Sequence, residues 1–438
     1  MLLKRILAAG IVLALSFTLC GCSLDDGSND SLLKPPRPAG EMYDIQKALE
    51  SAVKGKFTLK YPTQGDYRSA ILQQDINGDG KDEAVAFYST VADNVVTMHI
   101  NLITKQNGKW NSVGNFRCVA SGLETVAFKD MDKDGNLEIL VGWSVYGNVD
   151  KLLGVYSFEG GKFLQRAMES YTHYLCEDVD NDGNMEVFVS HLDAKNESAN
   201  AKLIRLTDTG LLELGKCLLD NTATTYYPPV LGKLKNGNSA IYFDAVKGGG
   251  LITEVLEIKD SVMSDALLLP DGTKLSTYRT SSVEIRDIEK DGVYEIPQLT
   301  PLTQMPGAEN ENIYVTDWYN VTDGRLNLSF SAIMNYVDCY YVVISKKWAG
   351  KIAVTRDTPN RIRNIMAIDK KTGNSADILV RIQTVPINQK GEEGAVKLEN
   401  ATEIARKGDF CYMVSIGDTN VDTAVTLKEF SQLFKTLD

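Results

Sequence analysis

The apolar positions of this chain fall into short runs that come in pairs. YRSAILQQ, GLETVAFK, THYLCE, YYPPVLGK and SSVEIR are each followed, across a few polar residues, by AVAFY, ILVGW, VFVSHL, IYFDAV and IPQL. These runs favour Val, Ile, Tyr and Phe, and several alternate with polar residues, the pattern of half-buried β-strands. Second hairpins follow in most units: VTMHINLITKQNGKWNSVGNF, KLLGVYSFEGGKFLQRA and AKLIRLTDTGLLELG each set a Gly-containing turn between two strands. Two stretches have a helical period instead. Met42, Ile45, Leu49 and Val53 share a stripe over 41–54 that Gly55 ends, and Leu427, Phe430, Leu433 and Phe434 share another over 426–437.

The polar residues inside the pairs repeat as well. DINGDGKDE starts at Asp75, DMDKDGNLE at Asp130, DVDNDGNME at Asp178 and DIEKDGVYE at Asp287, and all four read D-x-[DNE]-x-D-G-x-x-E. A fifth copy, GKLKNGNSA from Gly232, keeps Gly237 and its flanking strands but has lost every acid. Start-to-start intervals of 55, 48, 54 and 55 residues put that acid-free copy where the period demands it. Such repetition implies stacked or radial units, and four strands in each unit of about 50 residues is the arithmetic of a propeller blade.

Alternate acids in a tight turn suit a hard cation. Calcium takes six to eight oxygen ligands, and Gly at the sixth place allows a bend that a side chain would resist. Asp, Asn and Gly also form turns without a metal. Four such loops in phase argue otherwise, because three or four uncompensated carboxylates within a few ångströms repel one another. In the first loop Asp75, Asn77 and Asp79 then supply side-chain oxygens, Lys81 its backbone carbonyl and Glu83 the final carboxylate. The same positions elsewhere are Asp130, Asp132, Asp134 and Glu138; Asp178, Asp180, Asp182 and Glu186; and Asp287, Glu289, Asp291 and Glu295, where Glu289 is one methylene longer than the usual Asp. An EF-hand is excluded: it needs Glu at position 12, where these loops carry Ala86, Val141, Val189 and Gln298, and it needs helices on both sides. Magnesium keeps its waters and seldom fills an all-protein loop of this kind.

With these loops and flanking strands, residues 57–335 resemble the FG-GAP/VCBS repeat family, calcium-loop β-propellers also seen in integrin α-subunits. The Phe-Gly and Gly-Ala-Pro sequences of the family name are not evident, which places the chain nearer the VCBS side. The resemblance implies a mainly β fold: a propeller of about five to seven four-stranded blades, with up to four structural Ca2+ ions stapling the blades. Residues 336–438 form either a small α+β domain or a closing blade, and 41–56 an amphipathic helix beside the propeller.

The beginning of the chain supplies an address. Lys4 and Arg5 precede an uncharged apolar run from Ile6 to Leu19, and Leu19-Cys20-Gly21-Cys22 closes it. This is similar to a bacterial lipoprotein signal peptide over 1–21, with cleavage before Cys22 and lipid on its thiol. The run is too short to span a bilayer, and residues 22–40 read as a polar, Pro-rich tether. The expected location is the membrane surface facing away from the cytoplasm, with the lipid as the membrane contact. Formal charge of −12 argues against nucleic-acid partners and against adhesion to anionic lipid. Beyond Cys22, Cys118, Cys176, Cys217, Cys339 and Cys411 are widely spaced, without CxxC pairs. Cys118, Cys176 and Cys411, in strand-like contexts, read as small core residues.

Catalytic motifs are sparse. His99, His173 and His191 lack metal spacing, no serine sits in G-x-S-x-G, and KGGGL at 247–251 lacks the context of a phosphate loop. The expectation from sequence is a non-catalytic surface lipoprotein, not an enzyme, whose propeller binds a protein or glycan partner through loops and through residues such as Trp143, Tyr146 and Trp318. The alternative is an extracellular polysaccharide hydrolase or lyase on the same platform, since fold does not fix function.

Overall fold

In the computed structural model the described residues are 40–437, without 93, 146, 148–150, 208–209, 303–312, 369–374 and 388–397. The expected leader, Cys22, the expected tether up to residue 39 and Tyr146 lie outside them. The chain is mainly β, as its pattern predicts. Six antiparallel sheets of four or five strands follow one another in chain order. The second is a plain meander of Gly122–Lys129, Glu138–Ser144, Lys151–Glu159 and Lys162–Tyr171. The third repeats it with His173–Glu177, Glu186–Asp193, Ser198–Thr207 and Gly210–Leu218.

Apolar side chains from consecutive sheets form shared clusters. Phe87 of the first sheet meets Trp143 of the second edge-on at 6.2 Å, and Phe188 of the third lies 6.0 Å from Phe243 of the fourth. Such ring pairs add to the burial that drives the sheets together. The fourth strands approach closely at glycines: a Cβ on Gly114 would stand 2.7 Å from Cβ of Phe163, so no larger residue fits there. Trp143 and Trp318 are both buried in these clusters. The expectation that they contact a partner is therefore corrected: their rings are too large an apolar surface for the strands to leave in water. Cys118, Cys176 and Cys411 are buried.

Two α-helices occur among the described residues. Helix α1 (Glu41–Ala52) buries Ile45 and Leu49 against the first sheet, with Glu41 paired to Lys105 at 2.5 Å. Helix α2 (Leu427–Leu433) starts at a capping box of Thr426 and Glu429, the paired donors and acceptors that satisfy a helix start. It is shorter than its periodicity predicts. Phe434–Thr436 is a strand that pairs with Tyr340–Val343 and completes the fifth sheet. Edge pairing there satisfies the backbone while Phe434 enters the same core as Phe430. No helix among the described residues is long and apolar enough to cross a membrane.

Candidate metal loops and the rim opposite them

Three acidic loops join the first two strands of a hairpin; the fourth is closed by an isolated bridge between Arg286 and Glu295, the expected strand SSVEIR not forming, and all four share one backbone. Gly at the sixth position has positive φ in each: Gly80, Gly135, Gly183 and Gly292 at 80°, 88°, 85° and 84°. The fourth position is also left-handed, at Gly78, Lys133, Asn181 and Lys290, although a left-handed Lys costs about 1–2 kcal/mol. The first Asp accepts from the sixth amide in every loop: Asp75 from Gly80 at 2.9 Å, Asp130 from Gly135 at 3.2 Å, Asp178 from Gly183 at 2.8 Å and Asp287 from Gly292 at 2.9 Å. Asn77, Asp132 and Asp180 accept from the amide two residues on, whereas Glu289 lies 3.8 Å from Lys235. Asp79, Asp134, Asp182 and Asp291 likewise accept from Lys81, Asn136, Asn184 and Val293.

The ninth position is the buried one. Glu83, Glu138, Glu186 and Glu295 are at most 4% exposed, and one oxygen of each accepts from the amide at position two. The residues at position two are Ile76, Met131, Val179 and Ile288, all buried, so an apolar anchor lies between the first two acids of each loop. Burial raises all four glutamates above their usual range, Glu138 to about 7 and Glu295 to about 8. Asp130 Oδ1, Asp178 Oδ1 and Glu295 Oε1 are buried oxygens without a hydrogen-bond partner. A buried acceptor left unpaired is costly, and a cation is the partner that would satisfy it. In two groups, Asp130, Asp132 and Glu138, and Asp178, Asp180 and Glu186, carboxylate oxygens lie within 4.8 Å of one another, so either can hold a metal ion.

The loops also touch each other. Leu137 donates to the Ile76 carbonyl at 2.7 Å, Met185 to Met131 at 3.2 Å and Lys233 to Gly292 at 2.8 Å, which ties neighbouring sheets together at their loop ends. Lys133 of the second loop donates from Nζ to the Asp182 carbonyl of the third at 2.5 Å. Two basic residues from outside the acidic loops also enter them, and sequence reasoning missed both. Lys235, from the acid-free copy, pairs with Asp291 at 2.7 Å. Arg205, from the third strand of the third sheet, pairs with Asp180, Asp182 and Glu186.

The hairpin geometry puts a second polar group at the other end of the sheets. In the second sheet Lys151 pairs in register with Tyr171, and Glu124 stands near the start of the strand whose far end carries the acidic loop. Lys151 Nζ meets Glu124 at 2.6 Å, and Gln64 and Tyr171 also donate to Glu124, at 3.0 and 3.3 Å. His173, which opens the third sheet, puts Nε2 2.8 Å from the Tyr226 carbonyl. Since a carbonyl only accepts, Nε2 carries the proton and Nδ1 is the basic nitrogen. Burial holds His173 below its usual value, with Lys151 and Glu124 both within electrostatic reach. The rim continues through Tyr226, which donates to the Asp220 carbonyl, to Lys247 on the Asp220 carboxylate at 2.5 Å. One signal for this rim was available in the sequence: Glu124 is a lone acid in the apolar strand GLETVAFK.

No protein-family model and no curated protein sequence matches the chain. Solved structures to which it is similar include the rhamnogalacturonan lyase YesW, at 11% identity over 73% of this chain and 76% of that one, with a TM-score of 0.30. An exo-β-1,3-galactanase from Phanerochaete chrysosporium aligns at 10% identity over 75% and 79%, TM-score 0.25. The Dos1 propeller aligns at 10% identity over 78% and 80%, TM-score 0.25. The lyase and the galactanase are enzymes, and with that finding the expectation that this chain is not an enzyme is corrected.

Proposed function

We propose that this chain is an extracytoplasmic enzyme acting on polysaccharide, a lyase in preference to a hydrolase, built on a calcium-stapled propeller of the FG-GAP/VCBS kind and tethered by lipid on Cys22. In this reading the six sheets are blades and the acidic loops bind Ca2+, for which the orphaned buried carboxylate oxygens are the support. Asp130, Asp132, Asp134 and Glu138 would hold one ion and the matching residues of the other loops would hold theirs. A bound ion would supply charge neutralisation within each loop.

The observation that carries the catalytic reading is the half-buried His173, its Nε2 held on the Tyr226 carbonyl, with Lys151 and Glu124 within electrostatic reach. Elimination from a uronate needs a base for the proton next to the carboxylate and a cation to stabilise the charge that develops there. Nδ1 of His173 has the first property, and the Lys151 ammonium, held by Glu124, has the second. A hydrolase would instead need two carboxyl groups flanking the scissile bond, and Glu124 is already engaged by Lys151, Gln64 and Tyr171. The test is incubation with acidic polysaccharides, pectic ones included. Elimination gives an unsaturated product with new ultraviolet absorbance, whereas hydrolysis gives reducing ends without it. H173A should abolish the absorbance; cleavage that survives H173A and K151M, or no cleavage of any acidic polymer, sinks the proposal.

A further inference from the structure

The acidic loops differ in what faces their buried ninth residue across the sheet. Register continues from Ala84 opposite Ile103 and from Ile139 opposite Tyr156, so Thr104 stands across from Glu83 and Ser157 across from Glu138. Both are buried, and both hydroxyl oxygens lack a hydrogen-bond partner. In the third loop the residue across from Glu186 is Arg205. Its Nε donates to Glu186 Oε1 at 2.7 Å, while Nη2 lies 3.1 Å from Asp180 Oδ2 and Nη1 lies 2.9 Å from Asp182 Oδ2. Ser261 also donates to Asp180. One guanidinium therefore spans three of the four carboxylates that a divalent ion would need.

We propose that Arg205 is a built-in competitor for the third loop's cation. This loop is closed by the protein's own charge and takes calcium only when Arg205 is displaced, whereas the second loop, faced by a serine, is open to the ion. A planar fork bound to several carboxylates is a strong and directional partner, and it neutralises the loop without an ion. An entering Ca2+ must break those bonds, so the third loop binds more weakly than the second by about tenfold or more. The loops form a graded set in which the cross-strand residue sets the affinity. This inference rests on the calcium reading of the loops.

The test exchanges the cross-strand residues and counts bound calcium by equilibrium dialysis and titration calorimetry. R205S should add a site, or strengthen a weak one by about tenfold or more. S157R should remove one. Unchanged stoichiometry and affinities in R205S, with circular dichroism matching the parent, overturn the proposal. Should R205S fail to fold, E186Q in the parent gives the answer: at calcium levels that fill only the strong site it should leave the count unchanged, and a lost strong site overturns the proposal. E138Q separates the two readings. If it removes a strong site, the loops bind calcium whatever Arg205 does; if it removes none, the calcium reading falls and this inference with it.

Discussion

The second acidic loop and the acid-free copy at 232–240 make the same turn between the same kind of strands by different means. Both keep glycine at the sixth position with positive φ, Gly135 at 88° and Gly237 at 92°. In the acid-free copy the turn closes on itself through Leu234 to Asn238 and Gly237 to Leu234, at 2.8 and 2.9 Å. Asn236 and Asn238 are held by Glu257 from the next strand. Its ninth residue is the buried Ala240 where the second loop has Glu138, and its fourth, Lys235, does not share the left-handed backbone of Lys133. The hairpin thus forms without carboxylates. Buried acids and a strained lysine are additions that the turn does not require, so they need a ligand to offset their cost.

The largest test of this comparison is metal removal. Chelation should lower the unfolding midpoint substantially, since each site filled at about a hundred times its Kd contributes about 2.7 kcal/mol. An unchanged midpoint in calorimetry would remove calcium from the account. Next in size, Ala240→Glu should destabilise the protein by about 2 kcal/mol or more in denaturant titration, because it buries a carboxylate across from Glu257 without an ion. A neutral result would mean that the acid-free loop accepts a cation after all. Smaller still, Lys290→Gly should stabilise by about 1 kcal/mol by relieving the left-handed backbone, whereas Lys235→Gly should destabilise slightly. Equal effects at the two positions would erase the distinction in backbone.

The smallest effect separates the rim from the loops. His99 and His173 are both held below 6.5 by burial. The unfolded chain binds these protons more readily, so the stability they contribute is present above about 6.5 and is lost as pH falls through their folded values. With calcium saturating, the unfolding midpoint should drop on acidification below neutral, and His173→Gln should flatten part of that slope. A slope identical in the variant would take His173 out of the titration.

The acidic loops and their strands were legible because one residue type per position suffices to mark them. Asp at one, Gly at six and Glu at nine each meet a local demand, and apolar runs on both sides repeat with the loops. What stayed hidden depends on register or on context. Arg205 reaches Glu186 only because the hairpin pairs them, and nothing near the loop marks it. Lys133 carries no sign of its left-handed backbone, since lysine is not a turn former. The rim unites Glu124, Lys151 and His173 from separate strands with Gln64 from a loop, and sequence alone cannot bring them together. TLKEFSQLFKTL has a helical period throughout, yet an unpaired sheet edge claims its last turn.

That borrowed strand has a consequence for biosynthesis. Phe434–Thr436 completes the fifth sheet, but the whole sixth sheet and α2 lie between it and its partner Tyr340–Val343. A chain emerging from the ribosome can finish the first four sheets in order, while the fifth waits with an open edge until everything after it has been translated. Premature termination between Val343 and Phe434 would strand that edge, a template for pairing with another nascent chain.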